Sequence, residues 1–241
     1  MSAASLTVLG CDGGYPGPGG AGSGYLVRVA GMTICLDMGP GVLAKLQLEV
    51  PLAALDAVII SHEHPDHRAD LDQLAVALHF AEPPLRIPVL APAGIRERMY
   101  FSEWEELRWQ TVADGDDAAL GAVEVAFSRT DHGPETLALH LTAGGGTLVY
   151  SADTGPNWQP DPSWAGCELF LCEATWTAAQ EGRAQHLSGR QAGLLARRLG
   201  AERLLVTHRW PTIGEAAVAE EAAAAFAGEV SSAAPQRRYS F

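Results

Sequence analysis

Basic residues are scarce in this sequence. Its 241 residues include 16 lysines and arginines against 29 aspartates and glutamates, a formal net charge of −13 at neutral pH. Contacts to the phosphates of nucleic acids depend on lysine and arginine, so this balance argues against broad, charge-driven binding to an extended nucleic acid. A local basic pocket is still compatible with it.

Long apolar runs and an export signal are also missing. No stretch is apolar for long enough to span a membrane. Residues 1–5 contain no basic group and start no apolar run, so no signal peptide is evident. We therefore expect a soluble, cytoplasmic protein without a membrane partner; whether it forms a homodimer is left open.

Cysteine is rare as well. The four cysteines form no Cys-x-x-Cys pair, and a chain of this size has no need of a disulfide framework. The Gly- and Pro-rich segment 11–22 lacks the Gly-Lys-Ser/Thr ending of a phosphate-binding P-loop. Neither an internal repeat nor a linker divides the chain, which predicts a single domain over residues 1–241 with a substantial core.

Histidine is concentrated in one short stretch, Ser61-His62-Glu63-His64-Pro65-Asp66-His67. The β-branched run 57–60 before it predicts a buried strand, and the apolar spacing of residues 71–78 after it predicts a helix. The stretch is therefore a loop at the carboxyl end of a strand, where α/β sheets bind their ligands. Three imidazoles and a carboxylate so close together suit zinc, and also manganese or iron.

The spacing within this loop indicates two metal ions. His62 and His64 are two apart in extended chain, because Pro65 restricts the residue before it, and so they point the same way. Asp66 and His67 are adjacent and point apart, which favours a second ion. The alternative is a polar surface loop with fortuitous histidines, but four ligand-type residues at this spacing argue against it.

The pattern His-x-His-x-Asp-His after a β-branched strand resembles the signature of the metallo-β-lactamase superfamily. The resemblance implies an αββα sandwich with a dinuclear centre, most often of Zn²⁺, with Mn²⁺ or Fe²⁺ as alternatives. It also implies a third histidine, a bridging aspartate and a last histidine, which match His132, Asp153 and His208 at the ends of predicted strands. One ion would be held by His62, His64, His132 and Asp153, and the other by Asp66, His67, His208 and Asp153.

Two acidic residues match positions behind these ligands. Asp37 begins Asp-Met-Gly-Pro-Gly, which resembles the superfamily's Asp-x-Gly-x-Gly motif and implies a group that supports the metal loop; a helix N-cap is the other interpretation. Glu173 lies in a segment that resembles the His-Glu-Ala-Thr of ribonuclease Z relatives, with Cys172 in place of the histidine. The loop 11–22 resembles the loop that borders the active site in the same relatives, although a simple turn is equally compatible.

His186, 22 residues before His208, resembles the catalytic histidine of the phosphodiesterase branch. There it assists departure of the alkoxide, and Asp66 would bind and orient the nucleophile. The resemblance thus implies hydrolysis of a small phosphodiester, possibly a cyclic nucleotide, by a hydroxide between two metals. Alternatives are a ribonuclease Z that processes tRNA 3′ ends, and a thioesterase or lactonase, which would not need His186.

The interval between the third histidine and the bridging aspartate bears on these alternatives. His132 and Asp153 are 21 positions apart, which leaves room for one hairpin and not for the long arm with which one form of ribonuclease Z grips tRNA. We therefore expect precursor tRNA to be a poor substrate.

Elsewhere the pattern predicts ordinary elements. Residues 93–100 predict a short helix, and Phe101–Gly121 an amphipathic helix over the core or, alternatively, a lid. His79 and His140 match no position of the superfamily and are expected to be structural or surface residues. The other predicted strands are 6–10, 24–29, 32–36, 87–91, 122–127, 136–142, 147–151, 169–172 and 204–207, and helices are predicted over 188–199 and 216–227.

Overall fold

The first half of the chain supplies most of a seven-stranded sheet. The computed structural model describes residues 4–241. The strands of this sheet from the first half are β1 (Ser5–Gly10), β2 (Gly24–Val29), β3 (Met32–Leu36), β4 (Ala57–Ile59), β5 (Ile87–Ala91) and β6 (Leu107–Thr111). β1, β2 and β3 are antiparallel, whereas β3, β4, β5 and β6 run parallel. The parallel part places the ends of β3 and β4 at one edge of the sheet.

The second half builds another seven-stranded sheet and returns one strand to the first. Its strands are β7 (Asp117–Leu120), β8 (Val123–Arg129), β9 (Leu137–Ala143), β10 (Gly146–Tyr150), β11 (Leu169–Glu173), β12 (Arg203–Thr207) and β13 (Glu229–Ser232), and β14 (Arg238–Ser240) follows. The sheets have the orders β14-β1-β2-β3-β4-β5-β6 and β13-β12-β11-β10-β9-β8-β7. Since β14 pairs with β1, the end of the chain ties the two halves together.

Helices cover the outer faces of both sheets. They are α1 (Val42–Glu49), α2 (Pro65–Arg68), α3 (Leu71–His79), α4 (Gly189–Leu199) and α5 (Glu215–Ala225). Helices α1 and α3 pack on the first sheet, and α4 and α5 on the second. The predicted αββα sandwich in a single domain is confirmed. Within residues 4–241, none of the helices has the length and hydropathy needed to cross a membrane.

The main core lies between the two sheets. Strand β8 alternates buried and more exposed positions, because successive side chains point to opposite faces, whereas β1, β2 and β11 are buried almost throughout. Residues such as Tyr25, Ile34, Leu139 and Leu171 are fully buried there. This layer holds the two sheets at a fixed separation. It therefore also fixes the distance between loops that follow strands of different sheets at the same edge of the sandwich.

Helix α4 has strong capping signals at both ends. Ser188 caps α4 by accepting a hydrogen bond from the amide of Gln191, whose side chain in turn reaches the Ser188 amide. Gly200 ends the helix with φ of 66°, a left-handed conformation that suits glycine. These caps explain why the predicted start and end of this helix are correct.

The predictions for residues 93–121 are wrong. Residues 93–100 contain only a 3₁₀ turn, Arg96–Arg98, and the segment predicted as a helix or lid, Phe101–Gly121, contains the edge strands β6 and β7. Phe101, Trp104 and Trp109 nevertheless pack against the apolar layer under α1 and α3. The segment covers the core as expected, but as loop and strand, because pairing with β5 and β8 overrides its helical composition.

Candidate metal centre

The predicted site residues meet at one edge of the sandwich, where strands of both sheets end. His62, His64, Asp66 and His67 follow β4, and Asp153 and His208 follow β10 and β12. Pro65 occupies the first position of α2, and His64 before it is extended, with φ of −62° and ψ of 142°. His132 follows β8, which lies in the second sheet with β10 and β12. The structure brings all seven predicted metal ligands together.

The first group consists of His62, His64, His132 and Asp153. One donor atom from each lies within 4.8 Å of all the others. His62 Nε2 is 3.1 Å from His64 Nδ1, and His132 Nε2 is 3.3 Å from the same atom. Asp153 Oδ2 lies 3.5 Å from His62 Nε2 and 3.9 Å from His132 Nε2. These four side chains converge on a point between them, as ligands of one ion would.

The second group consists of Asp66, His67, Asp153 and His208, again within 4.8 Å of one another. Asp153 Oδ1 is 3.2 Å from His67 Nε2 and 3.3 Å from His208 Nε2. Asp66 Oδ2 is 3.2 Å from His208 Nε2. Asp153 thus turns one oxygen to each group, an arrangement that suits two ions about 3.5–4 Å apart.

Hydrogen bonds behind the ligands aim their free nitrogens at this centre. His67 Nδ1 donates to Asp37 Oδ2 at 2.7 Å, and His132 Nδ1 donates to the carbonyl of Gln185 at 3.1 Å. In both residues Nε2 is therefore left with a lone pair for a metal, as is usual for metal-binding histidines.

Two relays do the same for His62 and His208. His62 Nδ1 donates to Ser61 Oγ at 3.0 Å, and that hydroxyl donates to Asp37 at 2.8 Å. On the other side, His208 Nδ1 donates to Thr175 Oγ1 at 2.8 Å, and Thr175 donates to Glu173 at 2.7 Å. Each relay ends on a buried carboxylate, which fixes the donor direction of every hydroxyl along it.

The centre also contains buried polar atoms that a metal would satisfy. Among residues 4–241, His67 Nε2 and Asp153 Oδ1 are buried without a hydrogen-bond partner, although they lie 3.2 Å apart. Buried polar groups without a partner are rare and call for an explanation such as an ion. Imidazole nitrogens with carboxylate oxygens are a donor set for zinc, manganese or iron, so the residues present fit divalent metal ions.

The pKa shifts of His62 and His67 also fit a centre that holds positive charge. Burial lowers the pKa of His62, and the neighbouring His67 adds to the effect, so the ring is neutral and its lone pair is available. Burial also opposes charge on His67, but Asp153 and Asp37 outweigh it and raise its pKa well above the usual value. The carboxylates thus favour positive charge at His67, and either a proton or a divalent ion can supply that charge.

Asp37 lies directly behind the metal loop. It accepts hydrogen bonds from the Ser61 amide at 2.7 Å, the Ser61 hydroxyl at 2.8 Å and the Tyr150 hydroxyl at 2.7 Å, besides the bond from His67. These contacts place Asp37 against the loop that carries His62 and His67, and its role in supporting the metal ligands stays a prediction. The N-cap interpretation is wrong, because α1 starts after Gly41 and Asp37 makes no cap there.

His186 lies beside both groups and belongs to neither. Its ring stacks on that of His208, with centroids 5.3 Å apart, and tilts against His132 at 5.1 Å. Its Nδ1 donates to Glu173 Oε1 at 2.9 Å. Burial opposes charge on His186, but the adjacent carboxylate of Glu173 raises its pKa to about 9.

Glu173 holds His186 and is itself held firmly. It accepts hydrogen bonds from the amides of Thr154 at 2.7 Å and Leu187 at 3.2 Å, besides those from His186 and Thr175. Glu173, His186 and His208 also have donor atoms close enough for a metal. With its oxygens already occupied, Glu173 is better suited to orient His186 than to bind an ion.

A comparison with protein families decides the classification. A family model described as Beta-lactamase superfamily domain matches residues 32–209, a span that runs from β3 past His208. The chain belongs to the β-lactamase superfamily.

Relatives within the superfamily cover nearly the whole chain. The uncharacterized protein Rv1339 of Mycobacterium tuberculosis is 34% identical over 243 residues, 93% of this chain and 88% of that protein. The probable metallo-hydrolase YhfI of Bacillus subtilis is 32% identical over 237 residues, 93% of this chain and 95% of YhfI. The crystal structure of YhfI matches with a TM-score of 0.90 over 99% of this chain and 100% of that one, at 30% identity.

A ribonuclease Z belongs to the same set of relatives. The Mycobacterium bovis (strain BCG / Pasteur 1173P2) protein of that name is 27% identical over 243 residues, 87% of this chain and 87% of that enzyme. With its His/Asp cluster, the chain is therefore a metallo-hydrolase of the β-lactamase superfamily whose relatives include a ribonuclease Z.

Sequence reasoning missed several residues of this β-lactamase superfamily centre. Tyr150, Ser61, Thr175 and the amide of Gly14, which donates to Asp66 Oδ2 at 2.7 Å, all support predicted ligands. Ser61 precedes His62, and Thr175 is two positions after Glu173, which was the available signal. Tyr150 carries no such signal, since its partner Asp37 is 113 positions away.

Proposed function

We propose that the chain hydrolyses small phosphodiesters with an alkoxide leaving group, cyclic nucleotides among them, with two divalent metal ions, most simply Zn²⁺. The observation that carries the proposal is His186. It is a histidine outside both metal groups, packed against a member of each and held by the buried Glu173. A hydrolase of thioesters or lactones on the same fold has no need of this additional group.

The predicted ligands would divide between the ions as the two groups do. His62, His64, His132 and Asp153 would hold one, and Asp66, His67, His208 and Asp153 the other. Such ions would lower the pKa of a water molecule and stabilise negative charge on the attacked phosphate. Asp66, whose Oδ2 also accepts from the amide of Gly14, would orient the attacking oxygen.

His186 would supply the proton to the departing oxygen. Because Nδ1 donates to Glu173, Nε2 is the ring nitrogen left to exchange a proton with substrate. An alkoxide is a poor leaving group, and a positioned proton donor typically contributes about 10²–10⁴-fold in rate. Glu173 keeps the ring in one tautomer and orientation, and thereby acts on the reaction through His186.

A ribonuclease Z activity is the main alternative, since one relative has that name. The chain between His132 and Asp153 forms the hairpin of β9 and β10, joined by a tight turn, without a protruding arm in that interval. The net charge of −13 likewise disfavours a long RNA. Both features support a small substrate.

The test compares leaving groups in wild type and His186→Ala. With cyclic AMP, whose leaving group is an alkoxide, the variant should lose about 10²–10⁴-fold in turnover. With bis(p-nitrophenyl) phosphate, whose leaving group needs little protonation, the loss should be much smaller. Metal content should match wild type, because His186 belongs to neither ligand group.

His140→Ala is the matched control. His140 is a half-buried histidine on the outer face of β9, near Trp164 and away from the centre, and its removal should leave both rates unchanged. An equal loss on both substrates in His186→Ala, or loss of metal, would contradict the role of His186. Wild-type turnover of a thioester, a lactone or precursor tRNA in preference to both phosphodiesters would contradict the proposed function.

A further inference from the structure

Beside the metal centre lies a continuous row of flat side chains. The ring of Tyr15 meets that of Trp210 edge-on, with centroids 5.3 Å apart and planes at 83°. Trp210 lies against Trp176 at 5.1 Å with planes at 30°, and the guanidinium of Arg183 covers Trp176 at 4.9 Å. We call Tyr15, Trp210, Trp176 and Arg183 the aromatic row.

Each ring of the row is tied to a residue of the centre through the backbone. The Gly14 amide, next to Tyr15, donates to Asp66 Oδ2 at 2.7 Å. Trp210 follows His208 by two positions, and its amide donates to the carbonyl of Thr175 at 3.2 Å. Consecutive Cα atoms are about 3.8 Å apart, so the backbone of Tyr15 lies one residue from a group that touches a predicted metal ligand.

Of the three rings in the row, only Tyr15 is largely exposed, and Arg183 is the exposed side chain at the other end. Trp176 is 4% exposed, enclosed between Trp210 and Arg183, and Trp210 is half-buried. Tyr15 is 45% exposed. The inner members therefore act as a support, and Tyr15 is the ring that a substrate can reach.

The loop that carries Tyr15 is held in place. A Cβ atom on Gly14 would lie 2.7 Å from Trp210 Cζ3, so the backbone approaches that ring more closely than any residue with a side chain could. The Gly17 amide donates to Asp12 Oδ2 at 2.8 Å, and the Gly13 amide to the carbonyl of Arg209 at 2.9 Å. Tyr15 is thus presented in a fixed position, which lowers the entropy lost on binding.

We propose that Tyr15, supported by Trp210, is a stacking platform for the nucleobase of a mononucleotide bound at the metal centre. The proposal rests on the proposed function and narrows its substrate class to nucleotides. A phosphate at the centre carries its base one sugar away, and Tyr15 is the exposed ring next to Gly14, whose amide contacts Asp66. Stacking needs no positive charge, so it suits a chain with a net charge of −13.

The experiment measures binding to the metal-loaded protein by calorimetry, with AMP and ribose 5-phosphate as probes. They share sugar and phosphate and differ in the base, whose stacking is worth about 5- to 150-fold in affinity. Wild type should bind AMP more tightly by a factor in that range. Tyr15→Leu should lose this preference with unchanged affinity for ribose 5-phosphate, and Tyr15→Phe should retain it.

Phe80→Leu, at the far end of α3, is the matched control for loss of an exposed ring. Phe80 is 73% exposed, and this variant should bind both probes as wild type does. Equal affinity of wild type for the two probes, no detectable AMP binding, or an undiminished preference in Tyr15→Leu overturns the platform. A preserved preference for AMP without turnover of any phosphodiester would refute the proposed function and leave the platform supported.

Discussion

Tyr150→Phe removes a single hydroxyl group from behind the metal centre. Tyr150 ends β10 in the second sheet, is 2% exposed, and donates at 2.7 Å to Asp37, which follows β3 in the first sheet. Burial, followed by the charge of Asp37, raises the pKa of Tyr150 well above its usual value, so the phenol is neutral and acts as the donor. The bond therefore connects the two sheets at the base of the site.

The expected cost follows from the charge of the acceptor. A hydrogen bond to a charged group contributes about 1.5–3 kcal/mol, and a neutral one about 0.5–1.5 kcal/mol. Phenylalanine keeps the ring and its edge-to-face contact with Tyr25, whose centroid is 5.3 Å away, so no large cavity adds to the cost. We expect Tyr150→Phe to lower the free energy of unfolding by about 1.5–3 kcal/mol.

Tyr25→Phe provides an internal standard. Tyr25 is equally buried, and its hydroxyl is 2.6 Å from the neutral hydroxyl of Thr207. Urea unfolding of the metal-free proteins, followed by tryptophan fluorescence, gives the free energy of each variant. Should Tyr150→Phe cost no more than Tyr25→Phe, the idea that an ionised Asp37 is stabilised across the two sheets is wrong.

Two further predictions concern the loop beneath His208 and the cysteines. Gly13→Ala places a methyl group 2.8 Å from His208 Nδ1, so metal content and turnover should fall, whereas Gly214→Ala, whose added methyl meets nothing within 4 Å, should retain both; equal metal content in the two variants would contradict the close approach. All four thiols are buried, and burial raises the pKa of Cys11 and Cys167 to about 12. A disulfide reagent should therefore react slowly with the native protein at mildly alkaline pH and rapidly with all four thiols in guanidinium chloride; fast native labelling would show that the layers open.

The centre could be predicted from the sequence to the extent that its information is local. His62, His64, Asp66 and His67 are within six residues, and the spacing already separates the two groups found in the structure. His132, Asp153 and His208 were recognisable because the resemblance to the superfamily implies a third histidine, a bridging aspartate and a last histidine, and each of the three follows an apolar strand. That these residues bind metal is still a prediction.

The edge strands could not be predicted in this way. β6 and β7 have only five and four residues, and each buries a single residue, Leu107 and Leu120, so their alternation is too short to identify a strand. Leu, Trp, Glu and Arg in residues 101–109 suit a helix as well, and the outcome depends on pairing with β5 and β8. These strand pairings depend on the tertiary structure and not on the local sequence. The same holds for the hydrogen bond from Tyr150 to Asp37, which are 113 positions apart.

The division of ligands between the two sheets has a consequence for how the protein assembles. For each proposed ion, two donors come from the loop after β4 and two from the second half of the chain. Neither half can offer an ion more than two of its partners, so full affinity exists only after the sheets have docked. Metal binding would then stabilise the docked state over every partly assembled one, by an amount that grows with the logarithm of free metal. Under metal depletion, the packing between the two sheets would weaken first, while the hydrogen bonds within each sheet would stay intact.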